Sequence, residues 1–221
     1  MNFSHIKITY KYNMRQSPAT KSLQHFIQRM YDRIEEIEAG KLELQVSPLV
    51  KVNKKHFWLM FVDIESIVKL SKPSQGISLK TFTGKGLHVF NFVLYEIDNL
   101  IEYRNKLRQI DCVASKVDIS TTLRATPVRY LGCFSLKYNI WLHPYLIEHN
   151  DLDDMKALSK KSPSQYLRTK YAKQVCNYLN IRYDPNSLTT YTKLITLPLQ
   201  KARWIDKADY ITTLLNILMC E

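Results

Sequence analysis

Phe57–Val62 (FWLMFV) is the longest uninterrupted apolar run in the chain; its six residues make a strand, far short of the ~20 that cross a bilayer. With its flanks, His56–Ile67 is dense in aliphatic and aromatic side chains, which suits a central strand buried on both faces. Such a strand needs neighbours. Leu79–Tyr95 supplies them as two strands or one hairpin around Gly84 and Gly86, and Cys112–Thr122 and Tyr130–Trp141 each read as one more. Met1–Lys11 alternates through Ile6, Ile8 and Tyr10, and Leu42–Val46 alternates again. Ser17–Glu38 reads as a helix: Leu23, Phe26, Ile27, Met30, Ile34 and Ile37 recur at three- and four-residue steps, and Gly40 supplies the stop. Glu96–Ile110 is helical by the same test, with Leu100, Tyr103, Leu107 and Ile110 on one side. From Asn150 the character changes, with Asp151–Lys160, Ser164–Leu179 and Asp206–Cys220 all helical in pattern. The expectation is an α+β protein, with a strand-rich region at 1–145 and a mainly helical one at 146–221. Met1–Lys11 lacks the apolar block of a signal peptide, so the expected location is cytoplasmic, with no membrane partner.

Charge narrows the partners. There are 32 Lys and Arg against 20 Asp and Glu, a formal net charge of +12. A surplus of that size favours a polyanion, through counterion release and focusing of the field. The four cysteines, Cys112, Cys133, Cys176 and Cys220, stand apart and form neither CxxC nor CxxH pairs, and His143 and His149 lie near none of them. Zinc is therefore not expected, and the thiols are expected to be reduced and structural.

Four short stretches carry potential chemistry. In Phe61-Val62-Asp63-Ile64-Glu65, strand alternation points both carboxylates to one face, where they repel each other unless a divalent cation lies between them. The competing reading is a strand end emerging into solvent. Thr83-Gly84-Lys85-Gly86-Leu87-His88 holds two of the chain's five glycines, and its turn amides with His88 suit a phosphate; a plain hairpin with an incidental histidine competes. Val117-Asp118-Ile119 ends a strand in an aspartate, whereas the nearby Asp111 sits where a turn residue belongs. Arg129-Tyr130-Leu131-Gly132-Cys133-Phe134-Ser135-Leu136-Lys137 puts two cations on one face if the strand is regular; the alternative is an exposed hairpin of a basic protein.

In this order the four stretches resemble the archaeo-eukaryotic primase superfamily, and more narrowly its primase-polymerase branch. Members carry a hydrophobic strand ending Asp-h-Asp/Glu, a small-Gly-x-Gly-h-His strand, an h-Asp strand and a stretch close to R-h-P-G-T-h-N-x-K. The resemblance covers about 57–137; Leu131, Cys133 and Ser135 replace the family's proline, Thr/Ser and asparagine. It implies an RRM-like antiparallel or mixed catalytic sheet beside a small N-terminal α/β module. By motif position, Asp63, Glu65 and Asp118 would hold two Mg²⁺ or Mn²⁺ ions. Thr83, Gly84, Lys85, Gly86, His88, Arg129, Ser135 and Lys137 would form the nucleotide-binding set. The implied activity is template-directed joining of NTPs or dNTPs on single-stranded DNA, as primase, DNA polymerase or both. The setting would be replication of a plasmid, virus or other mobile element. No Walker-type phosphate loop is present, so a helicase or other replication protein would act from a separate chain.

Template-holding lysines are expected at Lys51, Lys54 and Lys55, at Lys69, Lys72 and Lys80, and along Lys160, Lys161, Arg168, Lys170 and Lys173. In the last group Tyr166, Tyr171 and Tyr178 are placed either to stack bases or to pack the core. Trp58 and Trp141 are expected in the core. The alternative to an enzyme is a non-catalytic basic module that binds single-stranded nucleic acid. A rolling-circle nickase would need a His-h-His pair, which the chain lacks.

Overall fold

The computed structural model describes residues 7–10, 19–46, 49–52, 55–65, 70, 76–97, 101, 105 and 128–205. In chain order the strands are β1 (Lys7–Tyr10), β2 (Ala19–Ser22), β3 (Gln45–Val46), β4 (Leu49–Val52), β5 (Lys55–Ile64), β6 (Ser78–Phe82), β7 (Leu87–Ile97), β8 (Val128–Arg129), β9 (Phe134–Ser135), β10 (Ile140–Trp141), β11 (Tyr145–Leu146) and β12 (Arg203–Ile205). The helices are α1 (Leu23–Asp32), α2 (Ile34–Glu38), α3 (Leu152–Leu158), α4 (Pro163–Leu167), α5 (Lys170–Leu179) and α6 (Leu188–Gln200).

The central sheet has six strands. Its main path runs β11-β6-β7-β5-β4, all antiparallel. β12 pairs in parallel with Val93–Tyr95 of β7, beyond the Leu87–Asn91 stretch that β6 occupies. Three two-stranded ladders flank it: β1 with β2, β3 with β8, and β9 with β10. The protein is α+β.

Burial explains why β5 and β7 lead. Phe57, Trp58, Phe61, Val62 and Ile64 are all buried, as is every residue of β7 except Glu96. A strand covered on both faces has no polar side to show, hence the unbroken apolar run. His88, Phe90 and Phe92 share one face of β7 by alternation. Tyr130 meets Phe90 and Phe92 edge-on at 5.4 and 6.4 Å, and Phe26 of α1 meets Tyr130 at 6.1 Å. Beyond them lies α6, whose Ile195 carbonyl accepts the Tyr130 hydroxyl at 2.7 Å.

Capping residues set the C-terminal helices. Asp151 accepts the Asp154 amide, Ser162 and Gln165 form a capping box ahead of Pro163, and Thr169 accepts the Ala172 amide. Thr169 therefore divides the expected Ser164–Leu179 helix into α4 and α5. The expected Ser17–Glu38 helix likewise begins with the strand β2 and breaks at Arg33 between α1 and α2. Leu42–Val46 is strand only at Gln45–Val46. The expected single strand Tyr130–Trp141 is instead the β9–β10 hairpin with turns on either side, because Tyr138 and Asn139 amides fold back onto the Ser135 carbonyl. α6 goes unrecognised in the sequence, since its threonines and Pro198 weaken the helical signal. Most of the expected 96–110 helix, the 112–122 strand and the 206–220 helix lie outside the described residues.

One of the lysines expected at the surface is buried instead, and the two readings left open for the tyrosines are decided. Lys80 has no exposed surface; its ammonium donates to the Ile147 carbonyl at 2.7 Å and to Asn150 Oδ1 at 3.0 Å, so it pins a turn and cannot hold template. Burial holds its pKa down to about 8, with Glu148 pulling it up. Tyr166 and Tyr171 are core residues, donating to the Pro144 carbonyl and the Asp154 carboxylate, so neither is available to stack a base. Cys133 and Cys176 are free and buried; Cys112 and Cys220 lie outside the described residues. Among the described residues no helix is long and apolar enough to cross a membrane.

Candidate active site

Register brings the first two stretches together. β5 and β7 pair so that Asp63 lies opposite His88. β5 ends one residue later, and Glu65 is exposed in the bend that follows. Strand alternation therefore no longer governs where Glu65 points. Asp63 itself is partly exposed, with 24% of its side-chain surface open.

The glycine loop is shaped by close approach. A Cβ on Gly86 would stand 1.9 Å from the Ile64 carbonyl oxygen, so no larger residue fits against the end of β5. The Thr83 amide donates to the Gly86 carbonyl at 3.0 Å, and the Gly86 amide returns to Thr83 Oγ1 at 3.3 Å. Gly84 adopts φ +100°, and a Cβ there would lie 2.8 Å from the Tyr138 ring. Lys85 is exposed at the tip.

His88 joins this loop to the Arg129 segment. Its Nδ1 lies 3.1 Å from the Arg129 carbonyl oxygen. A carbonyl only accepts, so Nδ1 carries the hydrogen and the tautomer is fixed. Nε2 is left facing Asp63 Oδ1 at 3.6 Å, in a ring only 5% exposed and held edge-on by Phe61 at 4.9 Å. An imidazole lone pair thus confronts a carboxylate oxygen, an arrangement that a metal cation between them would suit.

The cations gather by a different route from the expected one. β8 pairs with β3, and Arg129 Nη1 donates to Ser135 Oγ at 3.0 Å. Ser135 has no exposed surface, so its hydroxyl orients the guanidinium. With no regular strand from 129 to 137, alternation does not place Lys137 beside Arg129; the Tyr138 ring does. The Arg129 guanidinium and the Lys137 ammonium both sit 5.1 Å from its centroid. A hydrogen bond from Lys137 holds the Tyr138 hydroxyl pKa down against partial burial, and the charges of Lys137, Arg129 and Lys85 act in the same direction. Arg129 and Lys137 therefore flank one aromatic ring beside the glycine loop, with the charge of Lys85 near enough to act on its hydroxyl.

Two contributors escaped the sequence reading. Tyr138 is one; a tyrosine among cations carries no motif. Glu43 is the other: only 3% exposed, it accepts the Leu136 amide at 3.3 Å and the Gln45 side chain at 2.9 Å. Alternation assigns Glu43 to a polar face, but the fold covers that face with the 135–138 turn.

Asp118 lies outside the described residues, and among the described residues no three His, Cys, Asp or Glu side chains group to hold a metal. Oxygen donors at Asp63 and Glu65 suit a hard divalent cation.

Comparison with protein-family models, curated proteins and solved structures finds no match. What the geometry offers is a carboxylate and an imidazole in contact, at the mouth of a glycine hairpin with three cations near it. That is chemistry suited to a phosphate-bearing substrate.

Tyr138 tests the arrangement. Tyr138→Ala removes the ring shared by two cations and uncovers Gly84. A destabilisation of about 1–2 kcal/mol is expected by urea denaturation, at about 0.5–1 kcal/mol per cation–π contact. Tyr138→Phe keeps the ring and should lose less than half as much. Equal losses in both variants would mean that the hydroxyl, and not the ring, organises the cluster.

Proposed function

We propose that the protein is a template-directed nucleotidyltransferase of primase-polymerase type, with the catalytic sheet built on β5 and β7. The observation that carries the reading is the pairing of Asp63 with His88 while the same imidazole is tied to Arg129. Stretches far apart in sequence thereby meet at one end of the sheet, which supports the reading. The three cations near Tyr138 support it further.

In this reading Asp63, Glu65 and Asp118 hold two Mg²⁺ or Mn²⁺ ions. When bound, these ions supply an activated 3′-hydroxyl and charge neutralisation at the leaving pyrophosphate. The chain's own groups do the rest. The Gly84 and Lys85 amides at the hairpin tip, which the turn's own hydrogen bonds do not use, cradle phosphate oxygens, with Lys85, Arg129 and Lys137 balancing the charge on the β- and γ-phosphates. His88 Nε2 is the ring atom left to meet the substrate, and Glu43 and Ser135 keep the cationic segment in place. Single-stranded DNA is the template and NTP or dNTP the substrate. The reaction would take place in the cytoplasm during replication of a mobile element, with any helicase on another chain.

A non-catalytic nucleic-acid-binding module is favoured by the net charge of +12 alone, and it leaves the Asp63–His88 contact without a purpose. The deciding experiment mixes the protein with a primed and an unprimed single-stranded template, labelled NTPs or dNTPs and Mn²⁺. Products whose sequence follows the template, and which vanish on addition of EDTA, are expected. Binding without any incorporation across both nucleotide pools would leave only the module.

A further inference from the structure

Between Asp154 and Asp184 the chain carries seven cations, Lys156, Lys160, Lys161, Arg168, Lys170, Lys173 and Arg182, and no acidic residue. They supply more than half of the formal surplus of twelve, and all seven are exposed. They decorate a folded surface: α4 and α5 are joined through Thr169, which caps α5, and α5 is tied to α3 through the Tyr171–Asp154 hydrogen bond. Of the tyrosines interleaved with them, Tyr166 and Tyr171 are buried, and Tyr178 and Tyr183 are half-buried, with the Tyr178 hydroxyl accepting the Ser78 amide and the Tyr183 hydroxyl donating to the Leu167 carbonyl. The surface thus presents charge without aromatic platforms.

We infer that this α3–α5 surface is a binding track for the sugar-phosphate backbone of a single-stranded nucleic acid, separate from the Asp63–His88 site. Charge complementarity selects a polyanion, and the absence of exposed rings on the track makes recognition one of phosphates, not bases. Acidic residues bound it. Lys170 also lines a cleft of about 400 Å³ whose walls include Glu148 and Asp151, and these carboxylates repel a phosphate chain and end the track there. The choice of a single strand rests on the template-directed reading; the phosphate chemistry does not.

The test is fluorescence anisotropy with a labelled 20-nucleotide single strand over a series of salt concentrations. Two double variants, K160A/K161A and K170A/K173A, are compared with K41A/K193A, which removes the same charge from exposed positions elsewhere. Each track variant is expected to weaken binding and to flatten the salt slope by about 1.4, at about 0.7 for each phosphate no longer neutralised. The control should move it much less, and all three should melt like the wild type. Equal effects in control and track variants would overturn the track. So would a duplex, or vesicles containing phosphatidylserine, displacing the single strand at equal charge. Failure of the two readings is distinguishable: a wild-type protein that binds the strand through the track and incorporates no nucleotide would refute only the enzyme. Synthesis with unaltered binding in the track variants would refute only the track.

Discussion

Asp63→Asn is expected to lower template-directed incorporation on the order of 10²–10³-fold, the scale on which one preorganised electrostatic partner of a developing anion acts. The substitution keeps the shape of the side chain and removes its charge. The asparagine amide can donate to His88 Nε2, so the β5–β7 pairing survives. With Asp63 partly exposed, stability should change by less than about 1 kcal/mol. Asp118→Asn should fall into the same activity class. The measurement is single-turnover incorporation at saturating Mn²⁺, with thermal melting recorded beside it. Asp63→Asn and Asp118→Asn retaining wild-type rates would end the polymerising interpretation. A binding module would instead hold nucleic acid slightly tighter after losing one negative charge.

Acid should unfold the protein through His143. This ring has 1% exposure, stacks on Tyr166 at 4.2 Å, and places Nδ1 2.8 Å from the Tyr191 hydroxyl and Nε2 2.8 Å from the Lys161 carbonyl. The carbonyl fixes the hydrogen on Nε2, leaving Nδ1 to accept from Tyr191, whose single hydrogen takes this 2.8 Å contact over the Gly132 carbonyl at 3.2 Å. Burial drives the imidazole pKa down to about 3, with the backbone contacts pulling weakly upward. In the unfolded chain the ring takes up a proton near pH 6.5. Below that value the unfolded state binds a proton that the folded state refuses. The stability contributed by the neutral ring is therefore complete above pH 6.5 and is lost as pH falls toward 3. The slope is about 1.4 kcal/mol per unit, or about 3 kcal/mol by pH 4.5. Urea unfolding at pH 7.5, 5.5 and 4.5 measures it. Carboxylates titrate at the lower end of this range too, so the reading is the difference between wild type and His143→Gln, which cannot titrate. Parallel pH profiles for the two proteins would show that His143 is not the acid-sensitive group.

What the residue pattern could reveal follows from how local each cause is. β5 and β7 were legible because burial on both faces leaves an unbroken apolar run. The hairpin between β6 and β7 was legible because Gly84 answers to a local demand, a positive φ, while the demand on Gly86 comes from the Ile64 carbonyl of β5 and showed only as a second glycine. Caps at Asp151, Ser162 and Thr169 mark helix starts, although Thr169 divided what its apolar spacing presented as one helix. α6 was hidden because its helicity rests on tertiary burial of Tyr191, Leu194 and Ile195, against the weak propensity of its threonines. Lys80 was misread as surface for the same reason: what covers it comes from distant chain, whereas Tyr166 and Tyr171 took the core of the two places their spacing left open. Within the site, the order of the motifs pointed to Asp63, His88 and Arg129. The contacts that align them, through Tyr138, Ser135 and Glu43, arise only once the 135–138 turn exists. Asp118 lies outside the described residues.

The imidazole of His88 touches a β5 carboxylate with one nitrogen and a β8 carbonyl, 41 residues onward, with the other. Those two links are mechanically in series. An anion that drew the guanidinium of Arg129 toward itself would tug on β8 and so on the ring. A shift of the β8 backbone would therefore be felt at Asp63 through a single five-membered ring.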